Sequence, residues 1–96
     1  MSDQNSKSVM LKDFFKRSVL INEIDEVLRF KPDTLIGVDK VSSDQLSAIG
    51  IKSISDLAKL SVANLPEIKQ LLPSMLIKWV KISQVIQKNV RAIAKT

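Results

Sequence analysis

The chain has no cysteine, no histidine and no tyrosine. Without cysteine there is neither a disulfide framework nor a thiolate metal site. Without histidine the usual general base and the commonest zinc ligand are missing. The acid–base groups that remain are Asp, Glu and Lys, and none forms a convincing cluster. No enzymatic activity, cofactor, metal or small-molecule substrate is therefore expected. No apolar run approaches the roughly 18 residues that span a bilayer. The start, "MSDQNSKS", lacks the apolar centre of a signal peptide. These absences lead to the expectation of a cytoplasmic protein. Acidic residues are also missing from one whole region. Residues 1–67 carry nine Lys/Arg against ten Asp/Glu, whereas residues 68–96 carry Lys69, Lys78, Lys81, Lys88, Arg91 and Lys95 and no acid. The net charge of +5 thus belongs to the last third. A basic region of this kind points to a polyanion, or to a lysine face that keeps the protein in solution.

What is present fits one small domain. Ninety-six residues leave room for a single modest core, and 45% hydrophobic residues argue against disorder over the whole length. Residues 1–7 are polar and expected to fray. From Ser8 to about residue 31 the stripe Met10, Phe14, Ile21, Ile24, Leu28 fits one face of a helix, with a possible break between Ser18 and Asn22. Pro32 ends this segment, and "KPDT" reads as a linker. Residues 35–96 then read as the main domain.

Capping signals divide that domain into helices. Ser42 with Gln45 forms a capping box, and Val41 with Leu46 occupies the positions of a hydrophobic staple. Gly50 fits the left-handed position that ends a helix. Ser53 and Asp56 repeat the box. Ser61 or Asn64 starts a short piece with Pro66 near its first turn, and Ser74 starts a long helix running toward the C-terminus. On that helix Met75, Trp79, Ile82, Ile86, Val90 and Ile93 share one face, and Lys78, Lys81, Lys88, Arg91 and Lys95 lie roughly opposite. Trp79 is expected to anchor the core. Beyond about Ile86 the apolar stripe is expected to outrun the bundle. Val90 and Ile93 would then need cover from the N-terminal segment or from a second copy of the chain. The fold class is all-α, a compact bundle of about five helices with a long C-terminal one. No alternating run suggests a strand.

Residues 36–60, "IGVDKVSSDQLSAIGIKSISDLAKL", carry a resemblance. Gly37, Val38, Leu46, Gly50, Ile51, Ser53, Asp56 and Leu57 stand at the spacing of the helix-hairpin-helix family. The continuation "LSVANLPEIKQLLPSMLIKWVKISQVI" is similar to the second half of family domains found in strand-exchange recombinases and in the RNA polymerase alpha subunit. In that register "LLPSM" is a second, degenerate turn. The resemblance covers about residues 35–87. It implies a non-enzymatic module that binds nucleic acid without sequence preference, DNA rather than RNA, or a protein-contact module derived from one.

The resemblance also implies where phosphate would bind: at Gly37 and Val38, where hairpin amides and a helix N-terminus point outward. Lys40 and Lys52 lie beside this hairpin, and Lys69, Lys78, Lys81, Lys88 and Arg91 lie at and after the second turn. Asp39 departs from the pattern. Its carboxylate repels a phosphate at contact distance, or caps the next helix and fills the anion site from within. Two readings therefore stand side by side. One is a phosphate-backbone binder working through a basic surface. The other is an interaction or oligomerisation module using the N-terminal segment and the last helix. Attachment to acidic lipid through the basic last helix is set aside, because a folded bundle needs that helix's apolar face.

Overall fold

The computed structural model describes residues 13–94. Residues 1–7, expected to fray, and the start of the N-terminal segment with Met10 lie outside them, as does Lys95. Among the described residues there are three α-helices, α1 (Lys40–Ala48), α2 (Ile54–Ala58) and α3 (Pro73–Ala94). Three 3-10 segments join them: η1 (Ile24–Arg29), η2 (Pro32–Thr34) and η3 (Val62–Asn64). One isolated antiparallel bridge, Phe15 with Leu35, is the only strand-like pairing among the described residues.

The first segment corrects the helical expectation. Residues 13–23 follow an irregular path, and only Ile24–Arg29 winds, as a 3-10 helix. Glu26 reaches back from this turn to accept from the amides of Asn22 (2.8 Å) and Glu23 (3.4 Å), which fixes the start at Glu23. Upstream, the backbone pairs instead with the stretch before α1: Lys16 N donates to Thr34 O (2.9 Å) and Ile36 N to Phe14 O (3.0 Å). The apolar residues still reach the core. Phe15 and Val27 are buried in the core, and Phe14, Val19, Ile21, Ile24 and Leu28 pack against that core. The stripe residues Phe14, Ile21, Ile24 and Leu28 are half-buried, the buried positions are Phe15 and Val27 beside them, and the period does not make the segment a helix. The expected linker is the 3-10 turn η2, with Pro32 buried.

Helix α1 begins three residues earlier than its capping box suggests. Asp39 is the N-cap, and its Oδ1 accepts from Ser42 N at 2.8 Å. Asp caps as well as Ser does. The earlier start turns Ser42, Ser43 and Leu46 inward, while Val41 stays 60% exposed, so the Val41–Leu46 staple does not form. The far end follows the sequence. Gly50 takes φ +94°, Gly50 N donates to Ser47 O (3.0 Å) and Ile51 N to Leu46 O (2.9 Å). That double closure ends a helix on a left-handed residue. In α2, Ser53 Oγ accepts from Asp56 N (3.1 Å), and Asp56 returns the bond to Lys52 N (3.0 Å), one residue before the cap.

Helix α3 starts at Pro73, one residue before the expected Ser74, since proline is well suited to a first helical turn. Its inner face carries Leu76, Trp79, Val80, Ser83, Ile86 and Val90, all buried. Trp79 is 3% exposed and anchors the core as expected. Val90 is also 3% exposed and Ile93 packs on the same cluster, so the stripe does not outrun the bundle. The N-terminal segment joins that cluster through Phe15 and Val27.

Candidate nucleic-acid interface

Two turns in this chain have the same construction. In Leu35–Val38 the amide of Val38 donates to Leu35 O (3.2 Å), with Gly37 at φ +89° in the third position. In Ile68–Leu71 the amide of Leu71 donates to Ile68 O (3.2 Å), with Gln70 at φ +70° in the third position. Each turn continues with an apolar residue packed inward (Val38, Leu71), one more residue (Asp39, Leu72) and then the start of a helix (Lys40, Pro73). The halves touch: Gln45 Nε2 on α1 donates to Gln70 Oε1 at 2.8 Å. The second turn therefore pivots on Gln70, just before the "LLPSM" expected from sequence. No glycine marks the pivot, and a left-handed glutamine leaves no compositional signal.

Some of the backbone donors at each turn are already engaged. At the first, Val38 N is taken by Leu35 O, Ser42 N by the Asp39 carboxylate and Ser43 N by Asp39 O. Val38 itself is fully buried, and its carbonyl accepts from Lys16 Nζ at 2.8 Å. Val38 thus presents neither its side chain nor its amide at the surface, while Gly37 is exposed with open space where a side chain would be. The Asp39 carboxyl is held below its ordinary range, chiefly by hydrogen bonds from Ser42 and lastly by the charge of Lys16. A stable anion therefore already occupies the N-terminus of α1. At the second turn Pro73 has no N–H, and the amides of Met75 (3.0 Å) and Leu76 (3.2 Å) both converge on Leu72 O. Apolar side chains flank both turns, with Ile36 58% and Leu72 63% exposed.

The basic residues divide into two sets. Lys40, Lys52 and Lys69 are exposed but sit on separate pieces of chain: the first residue of α1, the α1–α2 connection and the second turn. Lys78, Lys81, Lys88 and Arg91 are exposed together on α3, away from the buried Trp79 and Ile86. At about 100° per residue they fall within an arc of about 140°. Their span along the axis is about 20 Å at about 1.5 Å per residue. No acid follows Glu67 in the chain, and none of these four cations has an acidic partner among the described residues. Near the end of the arc Gln84, Gln87, Lys88, Arg91 and Ala92 line an open hollow of about 400 Å³. Gln84 is fixed there by donating to Ala58 O (3.4 Å) and Leu60 O (3.2 Å) at the end of α2.

No aromatic ring is offered to a ligand. Trp79 and Phe15 are buried, Phe14 and Phe30 are half-buried, and Phe15 meets Phe30 edge-to-face at 5.7 Å. Among the described residues no helix is long and apolar enough to cross a membrane. No protein-family model, curated protein or solved structure significantly matches the chain.

Proposed function

We propose that this chain is a small, non-enzymatic, cytoplasmic module of helix-hairpin-helix type that binds nucleic acid without reading its sequence. The observation that carries the reading is the exposed, acid-free arc of Lys78, Lys81, Lys88 and Arg91 on α3. Lysine and arginine that neutralise phosphates release condensed counterions, which drives binding of any sequence. Lys40, Lys52 and Lys69 add positive charge elsewhere on the surface, and Gly37 keeps the first turn open to close approach. The helix-hairpin-helix assignment is supported by the shared register of the two turns and the Gln45–Gln70 bond between them. The hairpin backbone contributes little, since Asp39 occupies its anion position. The test is a titration of labelled duplex and single-stranded DNA at low and moderate salt. Binding that is lost on replacing Lys78 and Lys81 together by Glu agrees with the proposal, and no binding at low salt contradicts it.

A second reading rests on a different surface. Ile36 and Leu72 are exposed beside two bonded turns, and one turn carries a carboxylate. Those features suit a protein partner more than a phosphate. If they are the working surface, replacing Ile36 and Leu72 by Ser abolishes partner capture and leaves DNA binding intact. A solution mass at high concentration decides whether that partner is a second copy.

A further inference from the structure

The four cations of α3 are not evenly spaced. They form two pairs, Lys78 with Lys81 and Lys88 with Arg91, separated by the uncharged stretch that exposes Gln84 and Val85. Measured between pair midpoints the separation is about 15 Å along the helix, at about 1.5 Å per residue. A B-form duplex presents two phosphate backbones across a major groove about 12 Å wide, against about 6 Å for the minor groove. The pairs therefore match the two walls of a major groove and overshoot a minor one. Lysine and arginine side chains are long enough to absorb the remaining difference.

The helix is also held as a rigid ruler. Its inner face is buried from Leu76 to Val90, and Gln84 ties its middle to the end of α2. A fixed array of charge suits a stiff polyanion. A flexible single strand must lose conformational entropy to follow it. Single-strand binders also use stacked aromatics and a channel that tracks the backbone. Here every aromatic is at least half-buried, and the four cations stand along a single helix, with an open hollow beside Lys88 and Arg91, not along a channel lined by several elements. The walls of the deep, narrow major groove of A-form RNA stand too close together for two cation pairs about 15 Å apart along the helix.

We infer that the ligand is B-form duplex DNA, and that α3 lies across its major groove with Lys78 and Lys81 on one backbone and Lys88 and Arg91 on the other. The base edges beneath Gln84 and Val85 are covered and not read. This inference rests on the nucleic-acid reading above and fixes which nucleic acid and which groove.

The test uses fluorescence anisotropy with three labelled probes of about 20 residues per strand, namely duplex DNA, duplex RNA and single-stranded DNA, at about 50 mM salt. Duplex DNA is expected to bind at least about fivefold more tightly than either other probe, and two unrelated duplex sequences to bind equally. Lys78→Gln with Lys81→Gln, and separately Lys88→Gln with Arg91→Gln, should each remove about two from the salt slope. Unchanged helical circular dichroism establishes that the variants fold. Equal or tighter binding of duplex RNA or single strand overturns the groove assignment while leaving the nucleic-acid reading intact. Loss confined to one cation pair also overturns it. Absence of binding to all three probes at low salt removes both.

Discussion

At the scale of single residues, the structure makes separable demands. Gly37 and Gly50 sit at φ +89° and +94° with open space where a Cβ would stand, so the cost of a side chain is conformational only. Gly37→Ala and Gly50→Ala should each lower stability by about 1–2 kcal/mol in urea denaturation, and by similar amounts. Ser83 poses the opposite case. It is fully buried on α3 and its hydroxyl has no hydrogen-bond partner. Ser83→Ala is expected to raise stability by about 0.5–1 kcal/mol, since a desolvated, unpaired hydroxyl disappears. A clear loss in the urea midpoint would show that the hydroxyl is paired after all. Asp39 has a pH signature. Its pKa in the folded chain lies below its ordinary 3.8, so the charged carboxylate stabilises the fold above that value. As pH falls below 3.8 and through the lower folded pKa, this contribution is lost. Wild type should exceed Asp39→Asn in stability near neutrality and converge with it in acid, because Asn caps a helix without the charge.

Among the elements, the last helix and the first segment mark how far the sequence could be read. In α3 a 3.6-residue stripe, an opening proline and a uniform charge face agree with one another and the helix forms, but its buried face is turned from the expected one, leaving Met75 37% exposed and burying Ser83. The first segment carried a similar stripe. There Asn22, Glu23 and Glu26 closed a local turn, and Phe14–Lys16 paired with Thr34–Ile36, so long-range bonds overrode the period. Periodicity is present in both segments, but it marks a helix in only one. Two good caps, Asp39 and Ser42, lie three residues apart; Asp39 is the one used, and the choice between them depends on which face the bundle buries. The second turn was placed slightly late because its pivot is a glutamine. That pivot is directly testable. Gln70→Gly and Gln70→Ala both lose the bond to Gln45, but only alanine keeps the strain of φ +70°. The glycine variant should be the more stable of the two by about 1 kcal/mol. Equal stability would mean that the turn relaxes.

For the molecule as a whole, a core built from all three helices and the N-terminal segment leaves an acid-free group of four cations on one side of α3. Fold and candidate site are thus joined in a single element: the same helix that buries Trp79 displays Lys78 and Lys81 on either side of it in sequence. The exposed cations and the missing acids were visible in the sequence. Their separation from the hairpin was not, because only the structure shows Val38 buried, its amide engaged and the Asp39 carboxylate bonded to Ser42. The central claim is that α3, and not the hairpin backbone, holds a nucleic acid by its phosphates. The measurement that tests it most directly is the affinity for duplex DNA across a series of salt concentrations. Four neutralised phosphates predict a slope of log affinity against log salt of about −3.6. A slope near zero, or no binding at low salt, would contradict the account.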